Sequence, residues 1–171
     1  MHEEIYDDNE HSKDCYAHFG LAVYYSQVLE HQLVNMIMIL KRSQGLLSTE
    51  NDLDILYERK FSKTMGQLIN EIKDIFELSV EELEALKAVL KQRNFIVHDF
   101  FKENITLTFT RTGRDKLIGE LKEFVEKVRA IDSKLTIYST RMLNELGITE
   151  EMLEEEKNTI REEEEKKESG G

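Results

Sequence analysis

Residues 79–104 read SVEELEALKAVLKQRNFIVHDFFKEN, and this stretch decides the fold class. Ser79 and Glu82 stand three apart in the form of a capping box, in which each side chain accepts from an orphan N–H of the first helical turn. Beyond them Leu83, Leu86, Leu90, Val97 and Phe101 recur at helical spacing. The pattern predicts a helix that opens at Ser79 and ends near Lys102 to Asn104. Within KQRNFIVHDFF, residues 91–101, however, Arg93, Asn94 and His98 interrupt the apolar residues.

On a wheel advancing about 100° per residue from Leu83, Leu86 falls at about −60°, Leu90 at about −20°, Val97 at about −40° and Phe101 at about 0°. Arg93 then lies at about −80°, Asn94 at about +20° and His98 at about +60°, along the side expected to be buried. Phe95, Ile96 and Phe100 take the remaining directions. Such an end expects cover from more than one side, and a second subunit is the simplest source. A buried arginine and histidine must be paired or remain partly wet. Either Arg93 and His98 pair with acids of neighbouring helices and order the core, or they line a cleft at a subunit interface. In the cleft the imidazole would serve proton transfer and the guanidinium would serve phosphate.

The rest of the chain has the same helical character. Its 171 residues include no proline, no tryptophan and 8 glycines, and its commonest residues are mostly good helix formers. That length fits one domain with a real core. A first helix is expected from Ser12 or Asp14 to about Gln44, on the stripe Tyr16, Phe19, Val23, Leu29, Leu33, Met36, Ile37 and Leu40. At about 45 Å it is longer than a small core needs, so it also suits a dimer seam. Gly45 is its expected C-cap. A short helix around residues 50–58 follows, then one capped by Ser62 and carried by Met65, Leu68, Ile69, Ile72 and Phe76. A long helix from about Gly113 to Leu146 ends at Gly147, its buried side marked by residues such as Leu117, Leu121, Phe124, Val128 and Leu135.

Between the helices, NITLTFTRTG (residues 104–113) alternates Ile105, Leu107 and Phe109 with threonines. That period of two predicts an extended or hairpin-like connector, or a strand completed by another subunit. The expected fold is therefore all-α: an up-and-down bundle of about four to five helices, two of them long, plus a short extended segment near 104–112. Residues 1–14 form an acidic arm, 15–148 the helical domain, and 149–171 an acidic C-terminal helix or disordered tail.

Charge sharpens that division. Of the net −12, residues 1–14 contribute six acids and one lysine, and residues 149–171 ten acids and four bases, leaving about −1 for 15–148. Within 87–116 the bases Lys87, Lys91, Arg93, Lys102, Arg111, Arg114 and Lys116 outnumber Asp99, Glu103 and Asp115. A polyanionic partner is compatible with such a middle, and the charge split raises the hypothesis that the acidic tails mask it until a partner removes them. The single cysteine, Cys15, has no intramolecular partner, which points to a reducing cytoplasm. Residues 1–14 lack the apolar segment of a signal peptide, and no apolar run is long enough to span a bilayer. His2, His11, His18 and His31 lack metal-ligand spacing. No metal and no cofactor are expected.

Arg93-Asn94-Phe95-Ile96-Val97-His98, late on a helix of an all-α chain, resembles the Arg-Asn-x-x-x-His signature of the HEPN superfamily. The resemblance spans residues 15–146 in architecture and 93–98 in motif. It implies a homodimeric, metal-independent endoribonuclease whose two motifs share a cleft. His98 would act as acid/base for attack of a ribose 2′-OH on the adjacent phosphate. Arg93 would stabilise the phosphorane charge, and Asn94 would position Arg93 or the backbone. Lys91, Lys102, Arg111 and Arg114 are the matching candidates for RNA binding. The family also implies a toxin of a toxin–antitoxin or phage-defence system, with an antitoxin or other regulatory protein as partner. A non-catalytic regulator of the same fold is the alternative. Two positions depart from the toxin pattern: Phe100 stands where a modifiable tyrosine is common, and Asp99 puts negative charge beside His98.

Overall fold

A computed structural model describes residues 2–46, 49–61 and 63–169, and within them the chain is all-α. Its helices are α1 (His2–Ser43), α2 (Glu50–Phe61), α3 (Met65–Ile72), α4 (Val80–His98), α5 (Phe100–Glu103), α6 (Arg111–Glu145) and α7 (Glu150–Ser169), with a 3₁₀ turn at Ile105–Phe109. No helix among the described residues is long and apolar enough to cross a membrane.

Local chemistry sets most of the boundaries. The capping box at Ser79 is formed: Glu82 N–H donates to Ser79 Oγ at 3.1 Å, and Ser79 N–H donates to Glu82 Oε2 at 2.8 Å. Thr64 and Gln67 make a second box at the start of α3, while Ser62 lies outside the described residues. Gly45 and Gly147 end α1 and α6 with φ of 69° and 76°, the left-handed conformation that glycine adopts without a Cβ penalty. In both, two backbone N–H groups turn back onto the last helical carbonyls: Leu46 to Lys41 and Gly45 to Arg42, Ile148 to Leu143 and Gly147 to Asn144. This is the Schellman arrangement. The first helix begins at His2, so the acidic arm continues it.

The main packing is α1 along α6, with α3 and α4 laid against them. Leu29, Leu33, Met36 and Ile37 of α1 meet Leu117, Leu121, Phe124, Val128 and Leu135 of α6 in the core, which Leu68 and Ile72 of α3 and Leu86 of α4 complete. Polar contacts fix the pairing at its edges. Gln32 Nε2 donates to Ser139 Oγ at 3.2 Å, and Tyr138 Oη donates to Glu82 Oε2 at 2.9 Å, tying α6 to the start of α4. Cys15 is free and buried, and burial pushes its thiol pKa up.

The extended segment expected near 104–112 is not there. Leu107 N–H bonds back to the Asn104 carbonyl, Thr108 Oγ1 donates to the Ile105 carbonyl at 2.6 Å, and only Thr110, the N-cap of α6, has extended angles. Ile105 and Phe109 are exposed while Leu107 is partly buried. A lone strand would leave its edge groups unpaired, whereas the 3₁₀ turn satisfies the Ile105 carbonyl locally with the Thr108 hydroxyl. The turn also presses on α6: a Cβ on Gly113 would stand 2.1 Å from the Leu107 carbonyl oxygen.

Candidate functional site on helix α4

The buried side of α4 is not the one the leucine pattern indicates. Leu86, Val89 and Ile96, followed by Phe100, are buried, which centres the core side at about −100° on the wheel. Leu83, Leu90, Val97 and Phe101 form only its partly buried shoulder. Arg93 therefore points inward, near the middle of that side, while Asn94 and His98 are exposed. The expectation that all three share a buried face is corrected. Aromatic packing turns the helix: Phe100 contacts Phe19 at 6.1 Å, Phe95 at 6.1 Å and Phe101 at 5.3 Å between ring centroids.

Arg93 is held from two directions. Its Nη2 lies 3.0 Å from Glu30 Oε1 on α1, both side chains about a quarter exposed, and its Nη1 donates to Asn94 Oδ1 at 3.1 Å. Its Nε is buried with no hydrogen-bond partner, and leaving such a donor unmade costs roughly 1–3 kcal/mol. Glu30 was missed by motif reasoning. The signal was available, because Glu30 is the only acid between Asp14 and Glu50 and sits inside the apolar run of α1.

Lys87, Lys91, Asn94 and His98 follow one another at helical spacing along the exposed side of α4. Lys87 is paired with Glu84 at 3.3 Å. Asp99, the neighbour of His98 in sequence, pairs with Lys102 at 3.4 Å. Lys102 also lies 3.6 Å from Glu103, so its charge is shared with two acids, and they push its pKa up through the Asp99 hydrogen bond first. Phe100 is buried in the aromatic cluster.

Arg111 is the exposed first residue of α6. Arg114, counted among the basic surface residues, is instead buried at 3% exposure. Its Nη1 donates to the Thr108 carbonyl at 2.8 Å and its Nε to His11 Nδ1 at 3.0 Å. Since the guanidinium only donates, His11 accepts at Nδ1 and carries its proton on Nε2, 2.8 Å from Asp115 Oδ1. Arg114 thus locks the 3₁₀ turn to α1, a role that a charge count along the sequence has no means to detect.

The structure therefore gathers Lys91, Asn94 and His98 on one row, keeps Arg93 behind them, and withdraws Arg114. Within one chain Arg93 and His98 diverge by about 140° around the helix and about 7.5 Å along it. Among the described residues no group of three or more His, Cys, Asp or Glu side chains is placed to hold a metal ion. Compared with protein-family models, curated proteins and solved structures, the chain matches none.

Proposed function

We propose that this chain is a homodimeric, metal-independent endoribonuclease of HEPN type that acts in the cytoplasm as the toxin of a toxin–antitoxin or phage-defence system. RNA is its substrate, and an antitoxin or regulatory protein is its controlling partner. The observation that supports this reading is that Asn94 and His98 stand exposed on the Lys91 row, where core packing requires neither. In this reading a second copy faces the first across that row and brings a second His98 to the phosphate that one chain alone presents to a single imidazole. His98 takes the proton from the ribose 2′-OH as the 2′-oxygen attacks phosphorus. A proton is returned to the leaving 5′-oxygen, giving a 2′,3′-cyclic phosphate and a 5′-hydroxyl. Arg93 exchanges Glu30 for the phosphorane oxygens, oriented by Asn94, and Lys91 attracts the backbone.

A second reading, a non-catalytic helical regulator of the same fold, is favoured by one contact. The Arg93–Glu30 pair at 3.0 Å gives the guanidinium a place in the fold without any substrate. One experiment separates the two. Purified chain incubated with RNA in EDTA should yield cyclic-phosphate ends, and His98→Ala should abolish cutting with the thermal unfolding curve unchanged. Intact RNA across single-stranded, transfer and ribosomal substrates would leave the regulator.

A further inference from the structure

Helix α7 is exposed along its whole length, and its ten glutamates stand against only Lys157, Arg161, Lys166 and Lys167. A solvated acidic helix needs no apolar residues, yet Met152 and Ile160 are 51% and 53% exposed on it. On a helical wheel they lie within about 80° of each other, and Glu156 and Glu163 fall between them. One face of α7 therefore combines two apolar anchors with two acids about 10.5 Å apart along the axis.

The matching surface lies between α4 and α6. A groove of about 300 Å³ runs there, lined by Ala85, Ala88, Val89 and Gln92 on one side and by Lys127, Ala130, Ile131 and Lys134 on the other. Its floor is apolar, and the short alanine side chains leave the space between α4 and α6 unfilled. Its charged groups are two lysines seven residues apart, hence also about 10.5 Å along α6. Lys127 is paired with Glu123 at 2.8 Å in an exposed, screened contact. The grooves near the C-terminal end of α6, by contrast, carry Glu77, Glu145 or Glu154 among their linings.

The chain cannot fill this groove with its own α7. Leu146–Thr149 is a four-residue turn, pinned by the Gly147 and Ile148 bonds. Folded back along α6 at helical rise, Met152 would fall opposite about residue 143 and Ile160 opposite about residue 135. The groove would then face residues 161–168, which hold no apolar side chain.

We propose that α7 of a second copy docks in the α4–α6 groove. Met152 and Ile160 pack on its alanine floor, and Glu156 and Glu163 meet Lys127 and Lys134. The exchange concerns a different surface from the His98 row and does not rest on RNA cleavage.

Sedimentation of the full chain tests it together with thiol cross-linking. The wild type self-associates. Ile160→Glu, and the pair Lys127→Glu with Lys134→Glu, each weaken association by about tenfold or more. Adding Glu156→Lys and Glu163→Lys to the lysine-reversed chain restores it. A mixture of Ala88→Cys and Ile160→Cys chains forms the intermolecular disulfide faster than Ala88→Cys mixed with Asn158→Cys, which places the thiol on the opposite face of α7. Cys15, at 1% exposure, does not compete. A monomeric wild type overturns the proposal, as does a sedimentation profile that Ile160→Glu leaves unchanged. So does a disulfide that forms only within a single chain carrying both cysteines, or charge reversal without rescue. RNA cutting without the cross-link would overturn this exchange alone, and the cross-link without cutting would overturn only the ribonuclease.

Discussion

Replacing Gly113 by alanine tests the packing that places the 3₁₀ turn. Gly113 is the third residue of α6, and its N–H donates to Thr110 Oγ1 at 3.1 Å. An added Cβ would meet the Leu107 carbonyl oxygen at 2.1 Å and the Leu107 carbonyl carbon and Cα at 2.8 Å. Each of these atoms is backbone, so no side-chain rotation relieves the overlap, and the turn must move. Overpacking costs about 1–3 kcal/mol, and a clash against fixed backbone belongs at the upper end. Alanine in a helix returns about 1 kcal/mol relative to glycine. The net destabilisation is about 2 kcal/mol, a fall in Tm of roughly 4–8 °C for a chain of this size. Gly119 supplies the control on the same helix, since its Cβ would meet nothing within 4 Å. Gly119→Ala should therefore stabilise by up to about 1 kcal/mol through propensity alone. Thermal and urea unfolding of the two variants should shift in opposite directions. A Gly113→Ala protein as stable as the wild type would refute the close approach of Leu107 to α6.

Two further substitutions and conditions follow. Glu30→Gln removes the charge opposite Arg93, whose Nε is already without a partner; urea unfolding should report a loss of about 1–2 kcal/mol, between exposed and buried pairs, and a change under a few tenths would argue that the pair is idle. The Glu82 carboxylate is held below its ordinary value of 4.5, first by the Ser79 backbone N–H and also by Tyr138 and Lys134. Being lower in the folded state, its contribution is complete above pH 4.5 and is lost as pH falls through the depressed value. Glu82→Gln should therefore flatten the acid limb of a Tm-versus-pH curve below that point, and an unchanged limb would remove Glu82 from the account.

The particular elements show why some features were legible in the sequence. The Ser79–Glu82 box and the glycine ends at Gly45 and Gly147 involve partners three to five residues apart, so residue type at a fixed offset is enough to recognise them. The Arg93–Glu30 contact was half visible: the arginine stood out, and its acid sat alone in α1 without any local link between them. Arg114 went the other way. Its partners His11 and Thr108 belong to two different elements, and a run of basic residues looks the same whether its members face water or a neighbouring helix.

By itself the sequence determined that the chain is helical and where most of its helices start and stop, because backbone hydrogen bonds and caps close within a turn. Tertiary structure alone decided which side of α4 is buried. Apolar residues lie around most of that helix near its end, so the wheel has no single answer, and the packing of Phe100 against Phe19 selects the rotation that turns Arg93 inward and exposes Asn94 and His98. It also decided that 105–109 coils into a 3₁₀ turn, since a strand needs a partner, whereas this turn closes on the Thr108 hydroxyl and is held by Arg114 of α6.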